Sequence, residues 1–296
     1  MRIVSLVPHA TELLFALGLA DAVVGVTHEC DHPAAATQLP RVTRDVLPAG
    51  LSSAAIDAAV RERIRAGEAI YVLDEELLRE LEPDLIVTQE LCPVCAVSHD
   101  DVLAVAERMR PCPRVIALDP QTFGETMADV RTIARATGAQ AAALDLVARQ
   151  RARVDAVRSA VAGAAPVPVV ALEWLDPVFA AGHWTPQLIE LAGGVDVLGR
   201  PGEPSLQVPW AAVAAARPEV VVVMPCGYGA ARALEEAELH AAELRALGAR
   251  RVVAVDAGAT FSRPGPRLVD GLETLAAVLH PGRGIDAPGP ALEVEL

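Results

Sequence analysis

The stretch Arg2–Val26, RIVSLVPHATELLFALGLADAVVGV, decides the fold, because its pattern returns in the second half of the chain. RIVSLV opens the first half; ATELLFALGLADAVVGV, LEPDLIVTQ (81–89) and RVIALD (114–119) follow. VPVVALEW (167–174) opens the second, followed by TPQLIELAGGVDVLG (185–199), ARPEVVVVMP (216–225) and RVVAVD (251–256). Four blocks recur in one order, the mark of an internal repeat. Each apolar run of four to six residues, rich in Val, Ile and Leu and bounded by Pro, Gly or Asp, reads as a buried parallel strand. Helical patterns lie between the runs. The expected fold is therefore α/β: two Rossmann-like lobes with parallel sheets, joined by one long backbone helix, with a ligand cleft between the lobes.

The spacings place an insertion. Ile3 and Leu85 lie 82 residues apart, whereas their counterparts Val169 and Val220 lie 51 apart, so the first lobe carries about 31 extra residues. These fall near 41–71, where Ser52 can cap a helix with Ile56, Val60 and Ile64 on one face and Gly67 at its end. Between the lobes, 139–162 places Leu144, Val147, Val154, Val157 and Val161 at helical spacing, predicting a stiff helix of about 36 Å. Gly138 separates it from an earlier helix carrying Met127, Val130 and Ile133. The expected division is an N-terminal lobe over 1–120, connecting helices over 121–165, a C-terminal lobe over 166–282 and a tail over 283–296, mobile or wrapped on the surface.

Composition narrows the function. Apolar residues make up 52% of 296, enough for a large core, and the net charge of −14 disfavours nucleic acid and anionic membrane surfaces as partners. All 25 basic residues are arginine, which removes a Walker-type phosphate loop, a Schiff base and any catalytic lysine. No run approaches the roughly 18 apolar residues that would insert in a membrane. Pro8, His9, Thr11 and Glu12 interrupt the first apolar segment, so it reads as mature fold rather than a secretory signal, and a cytoplasmic location is expected. Reduced cysteines follow from that location.

Ligands of parallel α/β sheets bind beyond the carboxyl ends of the strands. The loops expected there hold Pro8, His9 and Thr11; His28 and Glu29; Gln89, Leu91 and Cys92; Trp174, Phe179 and Trp184; Trp210; Tyr228; and Phe261 with Arg263. Aromatics are only 3% of the chain, yet all three tryptophans fall in these loops, as a broad apolar ligand requires. About half of the loop aromatics are expected to cap lobe cores instead. TQELCPVCAVSHDD (88–101) contains a CxxC motif whose loop corresponds to the one at Cys226. Three readings stay open: metal held by Cys92 and Cys95 with His99 and Cys226, thiol redox chemistry, or pocket-lining cysteines. His28 is a further candidate contact for a metal, cobalt or zinc, while the ordinary reading of His9 and Glu12, at a helix entrance that Thr11 caps, is structural. There is no Ser/His/Asp triad and no glycine-rich dinucleotide loop, so no nucleotide cofactor and no catalytic residues are assigned.

IVSLVPHATELLFALG, GVTHECDHP, LEPDLIVT, DPVFAAG, VPW, ARPEVVVV and FSRPGPR resemble the helical-backbone (class III) substrate-binding proteins of metal-chelate ABC importers, most nearly their cobalamin-binding members. The resemblance runs from Arg2 to about Pro281. It implies a cobalamin, or a related corrinoid, held edge-on between two lobes, with Trp210, Phe179 and the Gln89 loop lining the cleft. It also implies an acidic docking residue per lobe for an ABC permease. Glu76 matches the first, but the second position holds Ala211, and the family's cleft aromatic after DLIV is replaced by Gln89 and the CxxC. The expected function is thus corrinoid binding without turnover, by an intracellular carrier, salvage or storage protein serving a corrinoid-dependent acceptor, or by the binding component of an importer. The alternatives are an enzyme acting on a tetrapyrrole through the CxxC thiols, and a haem or siderophore binder.

Overall fold

The computed structural model describes residues 1–48, 50–90 and 96–296, which group into two compact units: 1–120 with 127–146, and 121–126 with 147–296. In the first unit the apolar runs form a four-stranded parallel sheet. Its order is Val23–Gly25, Ile3–Ser5, Leu85–Gln89, Arg114–Leu118. Val4, Leu6 and Ile86 on one face pack with Val102, Val105 and Ala106 of the helix His99–Arg108. Ile3 and Val87 are equally buried, so both faces are covered, as an all-parallel sheet requires.

The second unit repeats this layout and extends it. Gly194–Asp196, Val167–Leu175, Val220–Val223 and Arg251–Val255 lie side by side and parallel, in the same spatial order as their four counterparts. The register repeats as well: Ile3 pairs with Leu85 and Leu85 with Arg114, while Val169 pairs with Val220 and Val220 with Arg251. Val220–Val223 is fully buried, and each such valine contributes about 2 kcal/mol of apolar transfer. Beyond the repeat, Val178–Ala180 and Leu206–Gln207 add antiparallel strands on one side.

Two segments depart from expectation. The tail does not trail off: Ala291–Glu293 pairs antiparallel with Arg251–Val255, buries Val294, and holds Glu293 in an ion pair with Arg251. Three residues of edge strand carry too short a pattern to read from sequence. The long helix Gln140–Val161 forms, but Leu144 is 72% exposed. The buried positions are Ala143, Leu146, Gln150 and Val157, and Gln150 and Arg153 spend their polar groups on Pro266 and on Asp270 and Glu273. Polar residues on the packed face disguised the true stripe.

The 31 extra residues form a hairpin-framed helix. Thr43–Asp45 pairs antiparallel with Tyr71–Leu73, and between them Ser53–Ala66 is helical. The Ser52 hydroxyl accepts the Ala55 N–H, and Gly67 ends the helix at φ +68°, a conformation glycine adopts without a Cβ penalty. No helix among the described residues is long and apolar enough to cross a membrane.

Candidate functional site

In the first unit, the strand Ile3–Ser5 feeds the helix Pro8–Ala16. Pro8, His9, Thr11 and Glu12 are all buried. Thr11 does not cap the helix: Val7 holds that position without a side-chain bond, and the Thr11 hydroxyl donates to Ser5 Oγ at 2.8 Å and lies 3.1 Å from Cys30 Sγ. Gln89 ends its strand almost wholly buried. Leu91, Cys92 and Cys95 lie outside the described residues. His99, beyond them, places Nε2 3.1 Å from the Glu90 carboxylate.

His28 and Glu29 occupy a turn, as their setting predicts, and the insertion builds the surroundings of His28. His28 Nδ1 is 2.8 Å from Thr43 Oγ1, which also accepts the His28 backbone N–H at 3.2 Å. The imidazole lies 5.3 Å from the Tyr71 ring, and the Tyr71 hydroxyl donates to Glu29 at 3.4 Å. Arg41 donates to the His28 carbonyl. Burial, foremost, holds His28 below the ordinary histidine range; Asp45 opposes this and Arg41 adds to it. These surroundings favour the neutral ring over its charged form. Glu76 is exposed on the first turn of the helix Glu75–Glu80, beside a concavity of about 470 Å³ that Arg41, Arg44 and Arg79 also line. Ala211 is likewise exposed.

The second unit sorts its aromatics into two groups. Trp184, Tyr228 and Phe261 are core: Trp184 donates to the Phe261 carbonyl at 2.8 Å, and Arg232 lies 3.8 Å over the Tyr228 ring while bonding its hydroxyl. Trp174, Phe179 and Trp210 are half-buried at the carboxyl edge of the sheet. Trp174 and Phe179 are cross-strand partners. Phe179 also pairs with Gln207, and the Val208 N–H donates to the Val178 carbonyl at 3.0 Å, which ties Trp210, two residues on, to the same hairpin. Arg263 is half-buried in the loop after Phe261. No group of three His, Cys, Asp or Glu among the described residues is placed to hold a metal.

Glu173 was missed by the sequence reading. It stands between Leu172, which pairs with Ala180, and Trp174, which pairs with Phe179, so it is the extra residue of a β-bulge. Burial pushes its carboxyl up to about 7, against the pull of a hydrogen bond with Ser205. A lone acid in the otherwise apolar VPVVALEWL was the available signal. Asp196, at the end of its strand, is raised by burial too, although the N–H groups of Leu198 and Gly199 favour its charged form; Glu190 adds to the rise.

Doubled parallel sheets with matching registers, and aromatics gathered at a carboxyl edge, define a two-unit α/β binding protein. Residues 3–257 match the periplasmic binding protein family, and the chain belongs to it. It is 24% identical to the vitamin B12-binding protein of Vibrio cholerae, over 94% of this chain and 88% of that one. Among solved structures, the periplasmic vitamin B12 binding protein of Vibrio cholerae superposes with a TM-score of 0.67 at 24% identity, covering 96% of this chain and 98% of that one. The periplasmic heme-binding protein of Roseiflexus sp. RS-1 superposes equally, at 0.67 and 23% identity, covering 95% and 98%. At such identities the superpositions establish the fold.

Proposed function

We propose that this protein binds a flat tetrapyrrole-type metal chelate, specifically a corrinoid, and releases it unchanged. The observation that carries the reading is the trio Trp174, Phe179 and Trp210, half-buried on one hairpin and the helix that follows it, in a chain of this family. Large flat side chains left partly open beside a rigid sheet suit the apolar face of a macrocycle, and they lose little entropy on binding. Relatives that carry vitamin B12 in their names support the corrinoid, and those named for heme keep the neighbouring class in view. In the first unit His28 is proposed as a residue that could contact a metal: its Nδ1 is engaged by Thr43, which orients the ring and leaves Nε2 available. Glu76 is the proposed contact to a permease.

The experiment is a titration of the apoprotein with hydroxocobalamin, following heat and visible absorption together, with haemin as comparison. Saturable one-to-one binding that is tighter for the corrinoid supports the reading. A band shift that disappears in H28A assigns a metal contact to His28. Saturable haemin binding without corrinoid binding would overturn the choice of ligand, and neither binding at high micromolar concentration would overturn the class.

A further inference from the structure

Glu173 lies at the edge where the ligand is proposed to sit, and the fold has no evident use for its charge. Its strand makes its last parallel pair at Leu172 with Val223. The Glu173 carbonyl, one residue on, accepts the N–H of Cys226 at 3.1 Å. Glu173 stands at the bulge between Leu172, in one core cluster, and Trp174, which packs against it, beside Ser205, which directly precedes the strand Leu206–Gln207 paired with Phe179. There its carboxyl is hydrogen-bonded with Ser205 and has no ion-pair partner among the described residues. A half-buried acid with no counter-ion costs stability that an apolar residue would not, and such groups concentrate where ligands are handled.

We propose that Glu173 reads the polar rim of the ligand, donating to and accepting from one primary amide, and so selects a chelate whose side arms end in amides over one whose arms end in carboxylates. This rests on the reading of the site as a tetrapyrrole-type pocket. A neutral carboxyl carries one O–H donor and one carbonyl acceptor side by side, the complement of an amide's carbonyl and N–H. Burial favours that neutral form near pH 7. A carboxylate arm fits poorly: against ionised Glu173 it is repelled, and the chain's net charge of −14 adds to the repulsion.

The test pairs two macrocycles with two variants. Cobinamide carries amide arms, whereas cobyrinic acid has the same corrin ring with free carboxylates. The wild type is expected to bind cobinamide more tightly than cobyrinic acid. Glu173→Gln, which keeps one donor and one acceptor, should hold cobinamide affinity within about threefold and bind cobyrinic acid more tightly than the wild type does. Glu173→Ala should lose about tenfold on cobinamide, the loss of a neutral hydrogen bond or two. Melting of each apo variant checks folding, and Glu173→Gln alone decides the matter if Glu173→Ala does not fold. Cobinamide binding unchanged in Glu173→Ala, or discrimination between the two macrocycles unchanged in Glu173→Gln, would overturn this inference and leave the corrinoid reading standing. A wild type that binds neither macrocycle would overturn both.

Discussion

Glu173 links pH to stability with a definite sign. Its folded pKa lies near 7, above the usual value for a free glutamate, so the unfolded chain releases the proton first. The stabilising neutral form is fully effective below about pH 4.5, and the advantage is lost as pH rises through 7, with no further change beyond. Glu173→Gln should remove that slope, gaining on the order of 2 kcal/mol relative to wild type at pH 8 and little at pH 4.5. Urea midpoints for both proteins across that range measure it; parallel curves would show that the Glu173 carboxyl is not held neutral. His28 has the opposite slope: its lowered pKa makes the folded state lose stability as pH falls below about 6.5. His28→Gln should therefore flatten the acid limb of the wild-type stability profile.

Two elements carry their own predictions. Gly182 lies against the segment Glu203–Ser205, and a Cβ there would stand 2.4 Å from the Glu203 carbonyl oxygen and 2.6 Å from the Ser205 nitrogen. Backbone cannot yield as a side chain does, so Gly182→Ala should cost about 2 kcal/mol in a denaturant melt and weaken chelate binding by displacing the partner of Glu173. The inserted helix Ser53–Ala66 is different, because Ser53 is its one buried residue and Ile64 stands half exposed. Such an element opens on its own. Ser52→Ala removes its N-cap, worth about 1 kcal/mol, and should speed amide exchange across 53–66 several-fold while the global melting temperature holds. The cap at Ser52 was available from sequence, whereas the exposure that lets its helix open alone, and the clash at Gly182, were not. Ser52 and Gly67 announced the ends of that helix, but nothing in Gly182 announces the backbone packed on it, since that contact joins residues about twenty positions apart.

For the whole molecule, a ligand that binds only the folded state stabilises it by mass action, about 2.7 kcal/mol at a hundredfold excess over Kd. All three tryptophans belong to the second unit, so tryptophan fluorescence reports that unit alone. Hydroxocobalamin in excess should raise the fluorescence-detected melting temperature by several degrees. An unchanged midpoint at concentrations that saturate the visible titration would place the ligand away from this unit.

The alternation of apolar runs and helical patterns by itself determined the α/β class and the doubled unit, because a buried parallel strand must be apolar along its length and therefore shows in one dimension; the pairing register came only from the packed sheets. Trp174, Phe179 and Trp210 stood out because aromatics are scarce here, but the expected loops were a misplacement: the first two lie on paired strands and the third opens a helix. What only the tertiary structure decided lies in contacts between residues distant in sequence. Thr43 and Tyr71 around His28, Ser205 on Glu173, the polar packed face at Gln150 and Arg153, and the pairing of Ala291–Glu293 with Arg251–Val255 each depend on which surface a segment meets. Sequence also could not divide the aromatics into those sealed in the core and those left open, since burial belongs to the packed chain and residue type sets only its odds.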